Sequence, residues 1–258
     1  MKNLNDFLIL SAFVAGMASS TPIFAQTKMN TETQDLVISK MERVLSTLDK
    51  KDVAWLPSQQ RLAALLSERA RSRFMLEMEN NCNGCKGSTA DRQKAITIYE
   101  QVLKSTDIKG HGPILLQLAH LYEMAGQPTK AISLYEDILK TNKKRPISKE
   151  IERTSRVGLA DLYFQKGDFK QAKKHYDIAL KDKNITNRYL SVYNLAWSEY
   201  NIGNLNVAIK LLESLVTKPE SIARETEDKV VYDAPFHTDV LRDLAGFYTR
   251  KNVSKRDI

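Results

Sequence analysis

Leu118-Ala-His-Leu-Tyr-Glu-Met-Ala-Gly126, Leu159-Ala-Asp-Leu-Tyr-Phe-Gln-Lys-Gly167 and Leu195-Ala-Trp-Ser-Glu-Tyr-Asn-Ile-Gly203 align without gaps. Five residues after each glycine stands an alanine: Ala131, Ala172 and Ala208. Four further on come Tyr135, Tyr176 and Leu212, then Ile138, Ala179 and Leu215, and an earlier partial copy reads Ala95, Tyr99, Val102. Self-similarity at intervals of this size marks a chain built from stacked supersecondary units.

The spacing has a mechanical cause. A small residue at Ala119, Ala160 and Ala196 lets one helix approach a second closely, and Ala131, Ala172 and Ala208 do the same from the second helix. Tyr122 and Tyr163 fill the space between. Gly126, Gly167 and Gly203 close the first helix, because glycine accepts the left-handed conformation that ends it. Each unit is a helical hairpin that buries its apolar face only by stacking on its neighbours. The predicted fold class is all-α, an α-solenoid of stacked hairpins, and the low content of Gly (10) and Pro (7) agrees with long helices.

These residues resemble the tetratricopeptide repeat (TPR), in three full copies and two partial ones over roughly residues 60–258. The register of Ala, aromatic and Gly carries the resemblance. It implies a curved array of about four hairpins across residues 59–218, with an insertion at 80–90. The second helix after that insertion is expected from about Asp91. Residues 26–58 form an N-terminal capping region whose helix carries Leu36, Val37, Met41, Val44, Leu45 and Leu48 at helical spacing. Residues 219–237 read as a polar connection that orders only on a partner. Residues 238–258 read as a partial fifth repeat or capping helix, in which Leu241-Arg-Asp-Leu-Ala-Gly-Phe-Tyr248 matches a first helix and a second helix is due near residue 253.

The first 25 residues have the pattern of a secretory signal. Lys2 precedes the uncharged stretch Phe7 to Ala18, which is too short to span about 30 Å of hydrocarbon, and Ile23-Phe24-Ala25 offers a cleavage site before Gln26. The mature chain is expected to be periplasmic or secreted, without an integral membrane span. The long helix around Arg61-Leu-Ala-Ala-Leu-Leu-Ser-Glu-Arg and the Phe74-Met-Leu-Glu77 stretch that follows it are also similar to periplasmic TPR proteins of gliding-type motility and envelope complexes.

The chain of 258 residues has a net charge of +8, from 39 Lys+Arg against 31 Asp+Glu. The cations come in short clusters, such as Lys143-Lys144-Arg145 and Lys173-Lys174, on stretches that also carry acids. They form no stripe of the nucleic-acid-binding kind. No nucleic acid is expected as partner, and weak contact with anionic envelope polymers is the most the charge implies.

By the resemblance, the first helices line a concave groove, which offers His120 and Glu123 in the second unit, Asp161 and Phe164 in the third, and Tyr193, Trp197 and Tyr200 in the fourth. Leu116, His120, Val157 and Asp161 stand where the carboxylate-gripping TPR subclass has Lys and Asn, so a chaperone-tail receptor is not implied. The aromatic residues Phe164, Tyr193, Trp197 and Tyr200 point to an apolar patch for a peptide or protein partner. The alternative is that Trp197 and Tyr200 pack on the neighbouring hairpin.

Cys82 and Cys85 are the two cysteines, and three readings stay open: a local disulfide, a redox or partner-linked thiol pair, and a metal site with borrowed histidines. A covalent haem site needs His after the second cysteine, and Lys86 stands there. Gly-rich phosphate loops, Gly-x-Ser-x-Gly elbows and His-Glu-x-x-His pairs are missing from the sequence. The expected function is therefore a non-catalytic scaffold without cofactor, holding a protein or peptide partner in an envelope complex. Its rivals are a thiol-redox or metal-carrying module built on Cys82 and Cys85, and an N-terminal fragment of a larger TPR protein.

Overall fold

A computed structural model describes residues 31–82, 85–105, 111–141, 147–218, 222–225 and 230–256. The signal segment expected at 1–25 lies outside the described residues. The chain divides into two compact units, one holding the described residues up to Ile147 and one from Ser148 onward.

The first unit contains α1 (Thr31–Thr47), α2 (Trp55–Glu79), α3 (Gly87–Ser105), α4 (Gly112–Met124) and α5 (Pro128–Thr141). Helices α2 and α3 form one antiparallel hairpin and α4 and α5 another, with α1 laid on α2. The second unit contains α6 (Lys149–Gln165), α7 (Phe169–Ala179), α8 (Arg188–Asn201) and α9 (Leu205–Val216), then β1 (Ala223–Glu225), β2 (Val230–Tyr232) and α10 (Ala234–Arg256). Helix α6 pairs with α7, α8 pairs with α9, and α10 packs on α9.

One steric device is repeated through the hairpins. Ala119, Ala131, Ala160, Ala172, Ala196 and Ala208 are all completely buried, as is Ala95. A larger side chain at such a contact forces the helix pair apart, at a typical cost of about 1–3 kcal/mol. The turns repeat as well. Gly126, Gly167 and Gly203 have φ of +68°, +76° and +93°. The amide that follows each glycine reaches five residues back, Gln127 to the carbonyl of Tyr122, Asp168 to Tyr163 and Asn204 to Glu199, at 2.8–2.9 Å. These are Schellman closures, in which the left-handed glycine satisfies carbonyls that the helix end leaves open. Asp168 then accepts a bond from the amide of Gln171 at 3.2 Å and starts α7 in the same stroke.

Several elements differ from the sequence expectation. The stripe that α1 buries is centred on Gln34 and Ile38, whereas Leu36 and Val44 face solvent. Apolar residues occur on two sides of this helix, and packing on α2 selects one. Helix α3 begins at Gly87 rather than near Asp91, because Glu77 accepts from both the amide of Ser88 (3.0 Å) and its hydroxyl (2.5 Å), capping an earlier turn. Those two bonds hold the Glu77 carboxyl below its ordinary pKa. Within the connection expected to be polar and unordered, Ala223, Arg224 and Glu225 pair antiparallel with Tyr232, Val231 and Val230. Helix α10 then starts at Ala234 and runs unbroken to Arg256, so the second helix expected near residue 253 is not formed there.

The first unit also contains an ion-pair network that no short motif announces. Arg69 donates to Asp91 through Nε (2.8 Å) and Nη2 (2.5 Å), and to Asp35 through Nη1 (2.7 Å). Arg73 donates to the same two carboxylates at 3.0 Å each. Asp91 is buried, so this bidentate pairing supplies the charge compensation that the site requires. It fastens α1, α2 and α3 at one place.

Candidate partner-binding surface

One register position in the first helix of each repeat changes its side chain from hairpin to hairpin. It holds His120 in α4, Asp161 in α6 and Trp197 in α8. In the first unit, His120 Nδ1 shares a hydrogen bond of 2.9 Å with the hydroxyl of Tyr135 on α5. In the second unit, Asp161 accepts a short bond from the hydroxyl of Tyr176 on α7 and a longer one of 3.3 Å from Asn194 Nδ2 on α8. Complete burial, and then the neighbouring Asp161 carboxylate, push the Tyr176 hydroxyl well above its ordinary pKa, so it is a fixed donor. In α4 and α6 the position expected to face a ligand therefore also ties the first helix to its own second helix.

The aromatic group expected in the groove divides. Phe164 stands half-buried with its ring edge-on to Phe169, 5.6 Å away at the start of α7. Tyr193, Trp197 and Tyr200 lie against α10. Tyr200 stacks on Phe247 at 4.3 Å with the planes 7° apart. Trp197 meets Phe247 edge-on at 5.1 Å, and Tyr193 meets Phe236 edge-on at 5.1 Å. Asp243 joins the two polar ends, accepting from Tyr193 Oη at 2.5 Å and Trp197 Nε1 at 3.1 Å. Burial raises the Asp243 carboxyl pKa in spite of these two donors, and burial followed by Asp243 raises Tyr193. Packing on a neighbouring element is thus the geometry of these three residues. Helix α10 presents Phe236, Asp243, Phe247 and Arg250 along one face to receive them. The sequence signal was the match of Leu241–Tyr248 to a first helix, which stacks on the hairpin before it.

What stays accessible on the first helices is a mixed polar surface. In the second unit Asp161, Phe164 and Asn194 are half-buried, and Gln165 and Asn201 are exposed. In the first unit Met124 is exposed, Glu123 is half-buried, and Glu123 Oε2 lies 3.9 Å from His120 Nδ1. His120 Nε2 and Glu123 Oε1 are buried without a hydrogen-bond partner among the described residues. Tyr122 sits in its hairpin with its hydroxyl donating to Glu100 and Lys130 Nζ 4.9 Å above its ring. Tyr163 stacks on His175 at 5.9 Å.

Cys82 and Cys85 form a disulfide with their Cα atoms 5.7 Å apart, between α2 and α3. Among the described residues, no group of three or more His, Cys, Asp or Glu side chains is placed to hold a metal ion. Among the same residues, no helix is long and apolar enough to cross a membrane.

Residues 114–147, 154–181 and 191–221 each match a family model described as a tetratricopeptide repeat. No curated protein matches the chain. In fold, it is similar to BtubC (BKLC) from P. vanneervenii, with a TM-score of 0.59 and 21% identity, covering 87% of this chain and 85% of that one. It is also similar to a putative kinesin light chain from Podosopora anserina with nearly identical TPR-like repeats. There the TM-score is 0.50 and the identity 20%, over 71% of this chain and 86% of that one. The matched segments coincide with the α4–α5, α6–α7 and α8–α9 hairpins, which are tetratricopeptide repeats in an all-α fold of the TPR-solenoid class.

Proposed function

We propose that the chain is an exported, non-catalytic scaffold that captures a polypeptide partner in an assembly of the cell envelope. The observation that supports this most directly is the contrast between frame and filling. The alanines, the glycines and the turn geometry repeat from hairpin to hairpin, while one exposed first-helix register position holds Met124, Gln165 and Asn201. A repeated frame with unrepeated side chains suits recognition of an extended segment, each unit supplying its own chemistry. On the second unit, Asp161, Phe164, Gln165, Asn194 and Asn201 supply an anion, an aromatic ring and amides that match a polar peptide backbone. The signal-like residues 1–25 and the similarity to periplasmic proteins of gliding-type motility motivate the envelope location.

The test is cross-linking of the full chain in its native envelope, followed by mass spectrometry, beside a Gln165→Arg/Asn201→Arg variant. Both positions are exposed, so the variant keeps its helicity. Partners held by the native chain and lost by the variant support the reading. Equal capture by both removes the first-helix surface from it. Sequencing the amino terminus of the cellular protein tests the export component: Gln26 is expected, and retention of Met1 contradicts it.

A further inference from the structure

The Cys82–Cys85 disulfide belongs to the first unit, whereas Gln165 and Asn201 belong to the second. The α2–α3 connection is held without it. Asn81 stands at φ +47°, Cys82 N donates to the Glu77 carbonyl at 2.9 Å, and Asn81 N donates to that of Met78 at 3.1 Å. This is a Schellman closure, which folds Cys82 back over the last turn of α2. On the other side, the Glu77 carboxylate holds both the amide and the hydroxyl of Ser88 at the start of α3. The disulfide spans a sequence separation of only 3, so it removes little chain entropy, and the backbone around it is already fixed. As a staple it is nearly redundant.

Two features suit the pair to reaction with another polypeptide. Cys82 and Cys85 are both exposed, so the bond between them is open to a thiolate from solvent. They also adjoin exposed apolar surface: near the end of α2, Met75 is 49%, Leu76 43% and Met78 58% exposed. The closure that turns Cys82 back brings it to the turn carrying Leu76 and Met78. Unbranched Met side chains adapt to partners of varied shape. The two sulfurs are unlike. Cys85 is followed by Lys86 and by the first turn of α3, a helix end that favours negative charge. The nearby acid, Glu77, is taken up by Ser88. Cys85 is therefore the better departing thiolate, and Cys82, at the apolar turn, is the sulfur attacked.

We propose that Cys82–Cys85 is a thiol–disulfide exchange site that oxidises two cysteines of a partner polypeptide resting on Met75, Leu76 and Met78. A partner thiolate attacks Cys82 Sγ and an intermolecular S–S bond forms. The Cys82–Cys85 bond breaks with its electron pair on Cys85 Sγ, which takes up a proton. The partner's second thiolate then attacks the partner's own bridged sulfur and releases Cys82, which takes up the second proton. The partner loses two electrons and two protons and gains a disulfide, and Cys82 and Cys85 end as thiols. The disulfide present in the structure is the oxidant, so one encounter completes the step. The bonds made by Glu77 do not involve the sulfurs, and they keep the reduced pair adjacent.

The test mixes the oxidised full chain with a synthetic reduced peptide whose two cysteines are flanked by leucines, and separately with dithiothreitol. Timed samples are acid-quenched, alkylated and read by mass spectrometry. Peptide oxidation is expected in step with the appearance of alkylated Cys82 and Cys85, at least about tenfold faster than by oxidised glutathione at equal concentration. The trapped mixed disulfide is expected on Cys82. Leu76→Gln/Met78→Gln, at two exposed positions, is expected to slow the peptide at least about fivefold and to leave dithiothreitol within about twofold. Met75→Gln serves as the second variant and decides the matter if the double variant loses helical signal. The proposal is overturned if the peptide reacts no faster than with oxidised glutathione, since the bond is then an inert staple. It is also overturned if the variants slow both probes alike or neither, or if the mixed disulfide maps to Cys85.

Discussion

Replacing Asp243 by alanine separates hydrogen bonding from charge at the seam between α8 and α10. Both donors, Tyr193 Oη and Trp197 Nε1, converge on a single oxygen, Asp243 Oδ2. In Asp243→Ala the buried Tyr193 hydroxyl loses its acceptor, and the half-buried indole N–H recovers part of its bonding from water. An unsatisfied buried donor costs about 1–3 kcal/mol, so the variant is expected to lose about 2–4 kcal/mol in total. Asp243→Asn keeps one oxygen able to accept both bonds and removes the charge whose desolvation the fold opposes, so its change is expected to stay within about 1 kcal/mol. The pH dependence has a definite sign. Burial raises the Asp243 pKa in the folded chain, so its contribution to stability is complete below the unfolded value of about 3.9 and is lost as pH rises through the raised folded value. Native stability relative to Asp243→Asn should therefore fall with rising pH in that window and then level off. The assay is guanidinium unfolding followed by Trp197 fluorescence, in a background where the other tryptophan, Trp55, is phenylalanine. Equal losses for the alanine and asparagine variants, or an alanine loss below about 0.5 kcal/mol, would refute the assignment of these hydrogen bonds as the source of stability.

Gly167→Ala is expected to cost about 1–2 kcal/mol from backbone strain alone, because φ is +76° and the added carbon meets no atom within 4 Å. Gly167→Val should cost more, and a thermal melt unchanged in both variants contradicts the turn geometry. Arg69→Ala should lower the stability of the 31–147 unit by roughly 2–3 kcal/mol, since buried Asp91 keeps only Arg73; the check is denaturation of Arg69→Ala beside Arg69→Lys. Reduction of the Cys82–Cys85 bond closes no long loop and should cost at most about 2 kcal/mol, read as a small fall in melting temperature on adding a dithiol. A fall large enough to unfold the unit contradicts that ranking.

The hairpins were legible because their signal is steric and local. A helix pair in close contact needs one small residue per helix, and a Schellman turn needs a residue at positive φ, so Ala119, Ala131 and Gly126 recur in register with their counterparts. The wall of Tyr193, Trp197 and Tyr200 was not legible in the same way. Its partners lie about fifty residues further along, in a helix whose cap-like sequence reveals no orientation, and an aromatic residue at a first-helix position serves a groove or a neighbouring helix equally well. Helix α1 formed with Val37, Met41 and Leu45 half-buried, as is Leu48 just after it, but its buried centre was missed for a related reason: Leu36 and Val44 have apolar spacing and face solvent, whereas Gln34 and Ile38 are the residues it buries. The pairing of Arg69 and Arg73 with Asp35 and Asp91 joins three helices, and no period in the sequence encodes such a meeting. The β1–β2 ladder is three residues per strand, too short for an alternating pattern to stand out.

The role of the first-helix surface in partner capture is tested most directly by site-specific photocross-linking in the native envelope. A photoreactive residue is placed at Gln165 on α6 in one variant, and at Ile178 on the exposed side of α7 in another. The expected result is a discrete adduct with one partner polypeptide from position 165 and none from position 178. Adducts from position 178 alone, or the same adducts from both, contradict recognition on the first-helix surface.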